Sequence, residues 1–188
     1  MTAAPYNTND PALTCWHVIT GAPCSGKTAV IEALARRGHR VVPESARAYI
    51  DRLLAQGHTL AQIKADPLCF ERSILLEKVR LEAALPRNQI IFMDRAIPDS
   101  VAYFRFEGLD PAEPLIHCRT VQYKSIFLLE RLVFEHDGVR SENEESAARL
   151  EYLLADSYAA LGYAIVRVPI MSIAQRTDFV LRHTFPQS

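Results

Sequence analysis

At 188 residues with 49% hydrophobic content, the chain is long enough for one substantial core and short for two domains. A net charge of −1 excludes the overall basic field that gathers nucleic acid or anionic membrane, and no apolar run approaches the roughly 20 residues of a membrane span. Cys15, Cys24, Cys69 and Cys118 form no C-x-x-C pair and the N-terminus has no basic-then-apolar leader, so a soluble protein of the reducing cytoplasm is expected, monomer or homodimer.

Residues 1–14 are small, polar and proline-containing and read as a flexible lead-in, with a single domain over 15–188. Trp16-His-Val-Ile-Thr20 is an apolar strand, and Ala29 to Arg37 carries apolar residues at helical spacing. Between them lies Gly21-Ala22-Pro23-Cys24-Ser25-Gly26-Lys27-Thr28. Glycines without a β-carbon let successive N–H groups point into one concavity, and the following helix adds unpaired amides and its dipole. Strand, glycine loop and helix in this order make a phosphate-binding loop. Lys27 is expected to reach the β/γ-phosphates of ATP, and Thr28 to hold Mg²⁺ through its hydroxyl.

Gly38 ends the first helix, Arg40-Val-Val-Pro43 is a short strand, and Glu44-Ser-Ala-Arg47 opens a helix that runs to Gln56 and closes at Gly57. Pro67 to Leu85 is a further helix with Leu68, Ile74, Leu75, Val79 and Leu81 as its apolar residues; both helices are expected to cover a sheet face. Gln89-Ile-Ile-Phe-Met93 is a buried parallel strand that delivers Asp94 and Arg95 at its carboxyl end. Helices follow over Ile97–Glu107 and Pro111–Thr120, then the strand Ser125–Leu129. A helix from about Glu144 to Leu161, the strand Tyr163–Val168 and a last helix over Ser172–His183 complete the chain. The expected architecture is α/β, a five-stranded parallel sheet with helices on both faces and ligands at the carboxyl ends of the strands.

Asp94 suits water-mediated Mg²⁺ binding or proton acceptance, and equally a helix cap. Arg95 offers a fork of donors matching phosphate oxygens, or a salt bridge to Glu44 or Asp94. Tyr103, Phe104 and Phe106 have the spacing of core aromatics, although any of them is able to stack on an acceptor. Cys24 lies beside the phosphate site, where an electropositive environment lowers a thiol pKa; a small side chain pointing away is the simpler reading.

The loop Gly21–Thr28 together with Asp94-Arg-Ala-Ile-Pro-Asp-Ser100, Ala102 and Tyr103 resembles nucleoside and nucleotide kinases, thymidylate kinases especially. Adding Val42-Pro-Glu-Ser-Ala-Arg47, Asp137-Gly-Val-Arg140, Gly162-Tyr163, Val168-Pro169 and Arg176, the chain resembles the NadR-like ATPase/kinase family of P-loop NTPases over about residues 16–181. The resemblance implies an AAA-type ATPase domain of nucleotide-kinase type with a short lid at about 130–145. It assigns Glu44 as general base on a substrate hydroxyl, with a helix-start carboxylate as the alternative. Arg47, one turn on, becomes an anion-binding candidate facing the same cavity, or a solvated residue.

In the lid, Arg131 and Arg140, with Arg149 behind them, would meet transition-state charge; a mixed-charge run is otherwise a solvated surface. Pro169 and Arg176 would border the nucleotide base. The expected activity is Mg-dependent transfer of the γ-phosphate of ATP to a small hydroxylated metabolite or to water. The competing expectation is a nucleotide switch whose lid orders on ATP or GTP binding and engages a partner. The acceptor is not legible in the sequence.

Overall fold

The computed structural model describes residues 11–132 and 141–186. The first strand, β1 (Ala12–Leu13), is followed by β2 (Trp16–Thr20), α1 (Lys27–Arg36), β3 (Val41–Val42), α2 (Ser45–Ala55), α3 (Leu60–Ile63) and α4 (Pro67–Ala84). Then come β4 (Ile91–Asp94), α5 (Ile97–Phe106), α6 (Ala112–His117), β5 (Val121–Gln122), β6 (Ser125–Leu129), α7 (Ser141–Ala160), β7 (Ile165–Val168) and α8 (Ile173–Thr184).

The main sheet has five parallel strands in the order β3-β4-β2-β6-β7. All five residues of β2 are buried, as expected for a central strand covered on both faces. Alternation along the strands divides the core. Val18, Ile91, Met93 and Ile126 meet Tyr158 of α7 on one face, while Ile19, Phe92, Phe127 and Leu129 pack on Val30, Ile31 and Leu34 of α1 and Val180 of α8 on the other. From β2 the chain crosses to the edge strand β3, returns to β4 beside β2, and then passes to β6 and β7 on the other side, which puts the topological reversal, and hence the ligand crevice, directly beyond the carboxyl end of β2.

Two expectations are corrected. The last residues of the supposed lead-in are held: β1 pairs in parallel with β5, and Thr14 N–H donates to Gln122 O at 3.0 Å. Residues 1–10 lie outside the described residues. α2 does not cover the sheet, since none of its residues is buried. It stands instead on α4, with the Tyr49 and Phe70 rings 6.1 Å apart and Arg52 donating to Glu77 at 2.7 Å. α4 and α5 already occupy that face of the molecule. α4 itself buries Glu71, Lys78 and Glu82 alongside Ile74 and Leu75, so its inward face is as much ionisable as apolar.

Candidate active site

The sharp turn out of β2 fixes the phosphate loop. Gly21 has φ +150°, and a β-carbon there would lie 2.7 Å from Leu129 O, so only glycine lets β2 and β6 end this close together. Gly26 caps α1 in the left-handed region at φ +80°. Cys24 has φ +62° and Arg95 φ +67°, and among the described residues these two alone are non-glycine residues with positive φ. Both sit at this crevice, where backbone strain tends to collect. Cys24 in this conformation explains why a glycine would serve equally well at its position, and its side chain is exposed, lining the crevice.

Lys27 is buried, with Nζ donating to Gly21 O at 2.7 Å, Ala22 O at 3.0 Å and Ser25 Oγ at 3.3 Å. Burial, helped by Arg95, lowers its ammonium to about 8, opposed by Asp94, Glu44 and Asp99. Thr28, on the first turn of α1, is exposed. Asp94 ends β4 opposite Ile19 of β2, and its Oδ1 is buried with no hydrogen-bond partner among the described residues. Burial, then the nearby Glu44, raises its carboxyl to about 6. An orphaned buried carboxylate oxygen at the end of β4 and an exposed threonine hydroxyl on the first turn of α1 have the chemistry of ligands for a hard divalent cation, because Mg²⁺ takes one or two protein oxygens and completes its shell with water and phosphate. Among the described residues no group of three or more His, Cys, Asp and Glu side chains is placed to hold a metal ion.

Glu44 is the N-terminal cap position of α2, directly after β3, and accepts a hydrogen bond from Arg95 Nε at 2.8 Å. Arg95 also donates to Asp99 Oδ1 at 3.1 Å and lies over the Tyr103 ring, 5.2 Å from its centroid. Of the two partners expected for it, Glu44 is bonded and Asp94 is not. Asp99, wholly buried, further accepts from Thr20 Oγ1 at 2.6 Å, Ala96 N at 2.9 Å and Tyr158 OH at 2.5 Å. Burial alone would raise its carboxyl; Arg95, Lys78 and the two hydroxyl donors outweigh it and hold the pKa below the usual range. Burial, with Arg95 opposing, pushes the Tyr103 hydroxyl up to about 12, so it stays a neutral donor.

These groups open onto a cavity of about 1120 Å³, reached by Pro23 and Cys24 of the loop, Glu44, Arg95, Tyr103 and Arg131. Arg131 donates Nε to Glu151 Oε2 at 3.0 Å, and Arg167 stands 3.7 Å from the same carboxylate. Arg140 lies outside the described residues, and Arg149 is over the Phe106 ring at 5.4 Å. Arg47 is corrected: its side chain is 78% exposed and pairs along α2 with Asp51 at 3.5 Å, while Ala46 and Ile50 are the α2 residues that face the cavity.

Arg176 is 2% exposed and donates to Pro169 O at 2.9 Å, Ser25 O at 2.5 Å and Glu130 O at 2.9 Å. It ties the loop to the ends of β6 and β7. Three site residues escape sequence reasoning. Asp99 is buried inside the Asp-Arg motif, and Glu71 and Lys78 are charged residues at core positions of α4, in phase with Ile74 and Leu75. That phase was the available signal.

A family model described as an AAA domain matches residues 16–176. The chain belongs to this AAA domain family. No curated protein matches it. The AAA domain resembles NadR solved in complex with NR at 16% identity and a TM-score of 0.69, over 96% of this chain and 52% of that one. It resembles thymidylate kinase from Ehrlichia chaffeensis at 15% identity and TM-score 0.65, over 92% and 99% of the two chains. Deoxyadenosine kinase from M. mycoides is similar at 13% identity and TM-score 0.58, over 89% and 97%. The chain thus spans about half the length of NadR, and these likenesses establish a P-loop NTPase fold of nucleotide-kinase type.

Proposed function

We propose that this AAA domain transfers the γ-phosphate of ATP to the hydroxyl of a small molecule, with Glu44 as the general base. The observation that carries this reading is the convergence of three adjacent strand ends. The loop after β2, Asp94-Arg95 after β4 and Glu44 after β3 meet at one crevice, with Glu44 held on its wall by Arg95. A nucleotide switch needs a phosphate loop and a metal site but no carboxylate positioned towards an acceptor.

In this reading the amides of Gly21 to Thr28 cradle the phosphates, and Lys27 exchanges its bonds to Gly21 O and Ala22 O for phosphate oxygens. Thr28 and Asp94 would hold Mg²⁺, which when bound neutralises charge building on the transferred group. Glu44 takes the proton of the acceptor hydroxyl as its oxygen attacks the γ-phosphorus. The bond to the ADP oxygen breaks, leaving ADP, the phosphorylated acceptor and a protonated Glu44. Arg131, released from Glu151, and Arg140 are positioned in sequence to meet the equatorial oxygens. Arg176 and Pro169 shape the nucleotide side. Four unpaired cysteines suit a reducing cytoplasm.

The test is Glu44→Gln on the full chain with Mg·ATP and a panel of hydroxylated metabolites. Turnover should fall at least ~100-fold with nucleotide affinity held, since general-base catalysis contributes roughly 10²–10⁴-fold. Acceptor-stimulated ADP release that survives the substitution would remove Glu44 from the chemistry.

A further inference from the structure

Arg131 lines the cavity, and the backbone on both sides of it is tied to the phosphate loop or to the strand end next to it. Glu130 N–H donates to Val168 O at 3.0 Å, and Glu130 O accepts from Arg176 Nη2 at 2.9 Å, the same guanidinium that holds Ser25 O. Leu132 N–H donates to Cys24 O at 3.3 Å, and Leu132 Cδ1 lies 3.8 Å from where a β-carbon on Gly26 would stand. With both neighbours held, what remains adjustable at Arg131 is its side chain. That side chain is turned to α7: Nε donates to Glu151 Oε2 at 3.0 Å and Nη1 to Glu144 O at 3.3 Å.

Glu151 serves two guanidiniums. Arg131 holds Oε2, and Arg167 of β7 places Nη1 3.7 Å from Oε1. The Glu151 and Arg131 side chains are 20% and 27% exposed, so their pair is partly withdrawn from solvent, whereas Arg167 is 57% exposed and more loosely placed. With two cations on one carboxylate, Arg131 is able to leave without stranding a half-buried charge, which is the expensive way to break an ion pair. The guanidinium fork that grips a carboxylate is the same one that grips a phosphate, so Arg131 cannot serve both at once.

We propose that Glu151 is a positioning residue that sets how tightly the site grips a triphosphate: it competes with the γ-phosphate for Arg131, and Arg167 closes on the carboxylate as Arg131 leaves. This rests on the phosphotransfer reading above, in which Arg131 meets the transferred group. The affinity for ATP is then the intrinsic affinity reduced by the fraction of molecules in which Arg131 is free. ADP carries no γ-phosphate for Arg131 to reach, so the competition bears on it less.

The test is a binding titration of the full chain with Mg·AMP-PNP, which is not hydrolysed, and with Mg·ADP. It needs no acceptor and so stands apart from the turnover test of Glu44. Arg131→Gln should weaken Mg·AMP-PNP at least ~10-fold and Mg·ADP by less, as expected for losing a charge-assisted contact to the γ-phosphate. Glu151→Gln, which removes the competing charge, should tighten Mg·AMP-PNP ~3- to 10-fold and Mg·ADP by less than ~2-fold. In an Arg131→Gln background the same substitution should change Mg·AMP-PNP binding by less than ~2-fold. Arg167→Gln leaves the carboxylate to Arg131 and should weaken Mg·AMP-PNP ~2- to 5-fold, an effect lost once Glu151 is also Gln. Glu151→Asp, which keeps the charge and retracts it, should fall between parent and Gln and carries the comparison if the Gln variant fails to fold.

Mg·AMP-PNP binding unchanged or weakened in both Glu151 variants overturns the assignment. Equal tightening with and without Arg131 also overturns it, since the carboxylate would then only repel the triphosphate. An Arg131→Gln chain that binds Mg·AMP-PNP as the parent does removes Arg131 from the γ-phosphate and the role of Glu151 with it. A chain that gives the expected titrations but no acceptor-stimulated ADP release loses the phosphotransfer reading alone.

Discussion

Arg95 joins Glu44 to Asp99: one guanidinium donates to the cavity carboxylate at 2.8 Å and to a wholly buried one at 3.1 Å. The base candidate is therefore held by the core, through a residue whose own backbone sits at φ +67°. Asp99→Ala would strand Arg95, Thr20 and Tyr158 without their common acceptor. Breaking such a buried pair costs about 3–5 kcal/mol, so urea denaturation should show a loss of that order together with a fall in turnover. An unchanged midpoint would mean that Asp99 is not the anchor.

Gly21→Ala should abolish the loop's shape. Its β-carbon would meet Leu129 O at 2.7 Å and Ser25 Oγ at 2.9 Å; the serine hydroxyl is able to turn away, but the backbone carbonyl of β6 is not. A loss of more than about 2 kcal/mol is expected, with Mg·ATP affinity lost in parallel, measured by thermal unfolding with and without nucleotide.

Cys24 separates strain from chemistry. A left-handed conformation costs a non-glycine residue about 1–2 kcal/mol, so Cys24→Gly should be neutral to mildly stabilising after its own unfolded-chain entropy is counted. Cys24→Val, branched at the β-carbon, should lose about 1–2 kcal/mol. The two melting temperatures should diverge in that direction.

Arg176→Leu would leave the carbonyls of Ser25, Glu130 and Pro169 without their donor. With unsatisfied buried groups costing about 1–3 kcal/mol each and some relaxation, a loss of about 2–4 kcal/mol is expected, and Mg·ATP should bind at least ~10-fold more weakly as the loop loosens. Denaturation and a nucleotide titration of the same variant check both.

Glu82 gives a pH signature. Its carboxyl accepts from Ile97 N–H at 3.1 Å and Tyr123 OH at 2.8 Å, yet burial raises it from 4.5 to about 7. Between these values the folded chain holds a proton that the unfolded chain has released, so this group's contribution to stability falls as pH rises from about 4.5 to 7 and is fully lost above. Glu82→Gln keeps an acceptor for Ile97 and a donor for Tyr123 without the charge. It should match the parent at pH 4.5 and exceed it by about 2–3 kcal/mol at pH 8 in denaturant titrations.

Much of this architecture is carried by local pattern. The buried run of β2, the loop from Gly21 to Thr28 and the polar pair after β4 are contiguous in the chain, and adjacent residues in fixed order suffice to specify a strand, a cradle and a strand-end site. Arg47 misleads because helical phase alone does not say which side of α2 meets the cavity. That depends on α2 standing on α4 rather than on the sheet.

The sequence by itself determined the alternation of five strands with helices, the phosphate loop and the acids Glu44 and Asp94 at strand ends, because period-2 and period-3.6 patterning and glycine chemistry act over a few residues. Only the tertiary structure decided that Arg95 belongs to Glu44 and Asp99, that Arg176 braces the loop from 151 residues away, and that Glu71 and Lys78 line the cavity. Those relations are made between elements remote in sequence. What fixes them is the need to pair or expose each buried polar group once the strands and helices have packed.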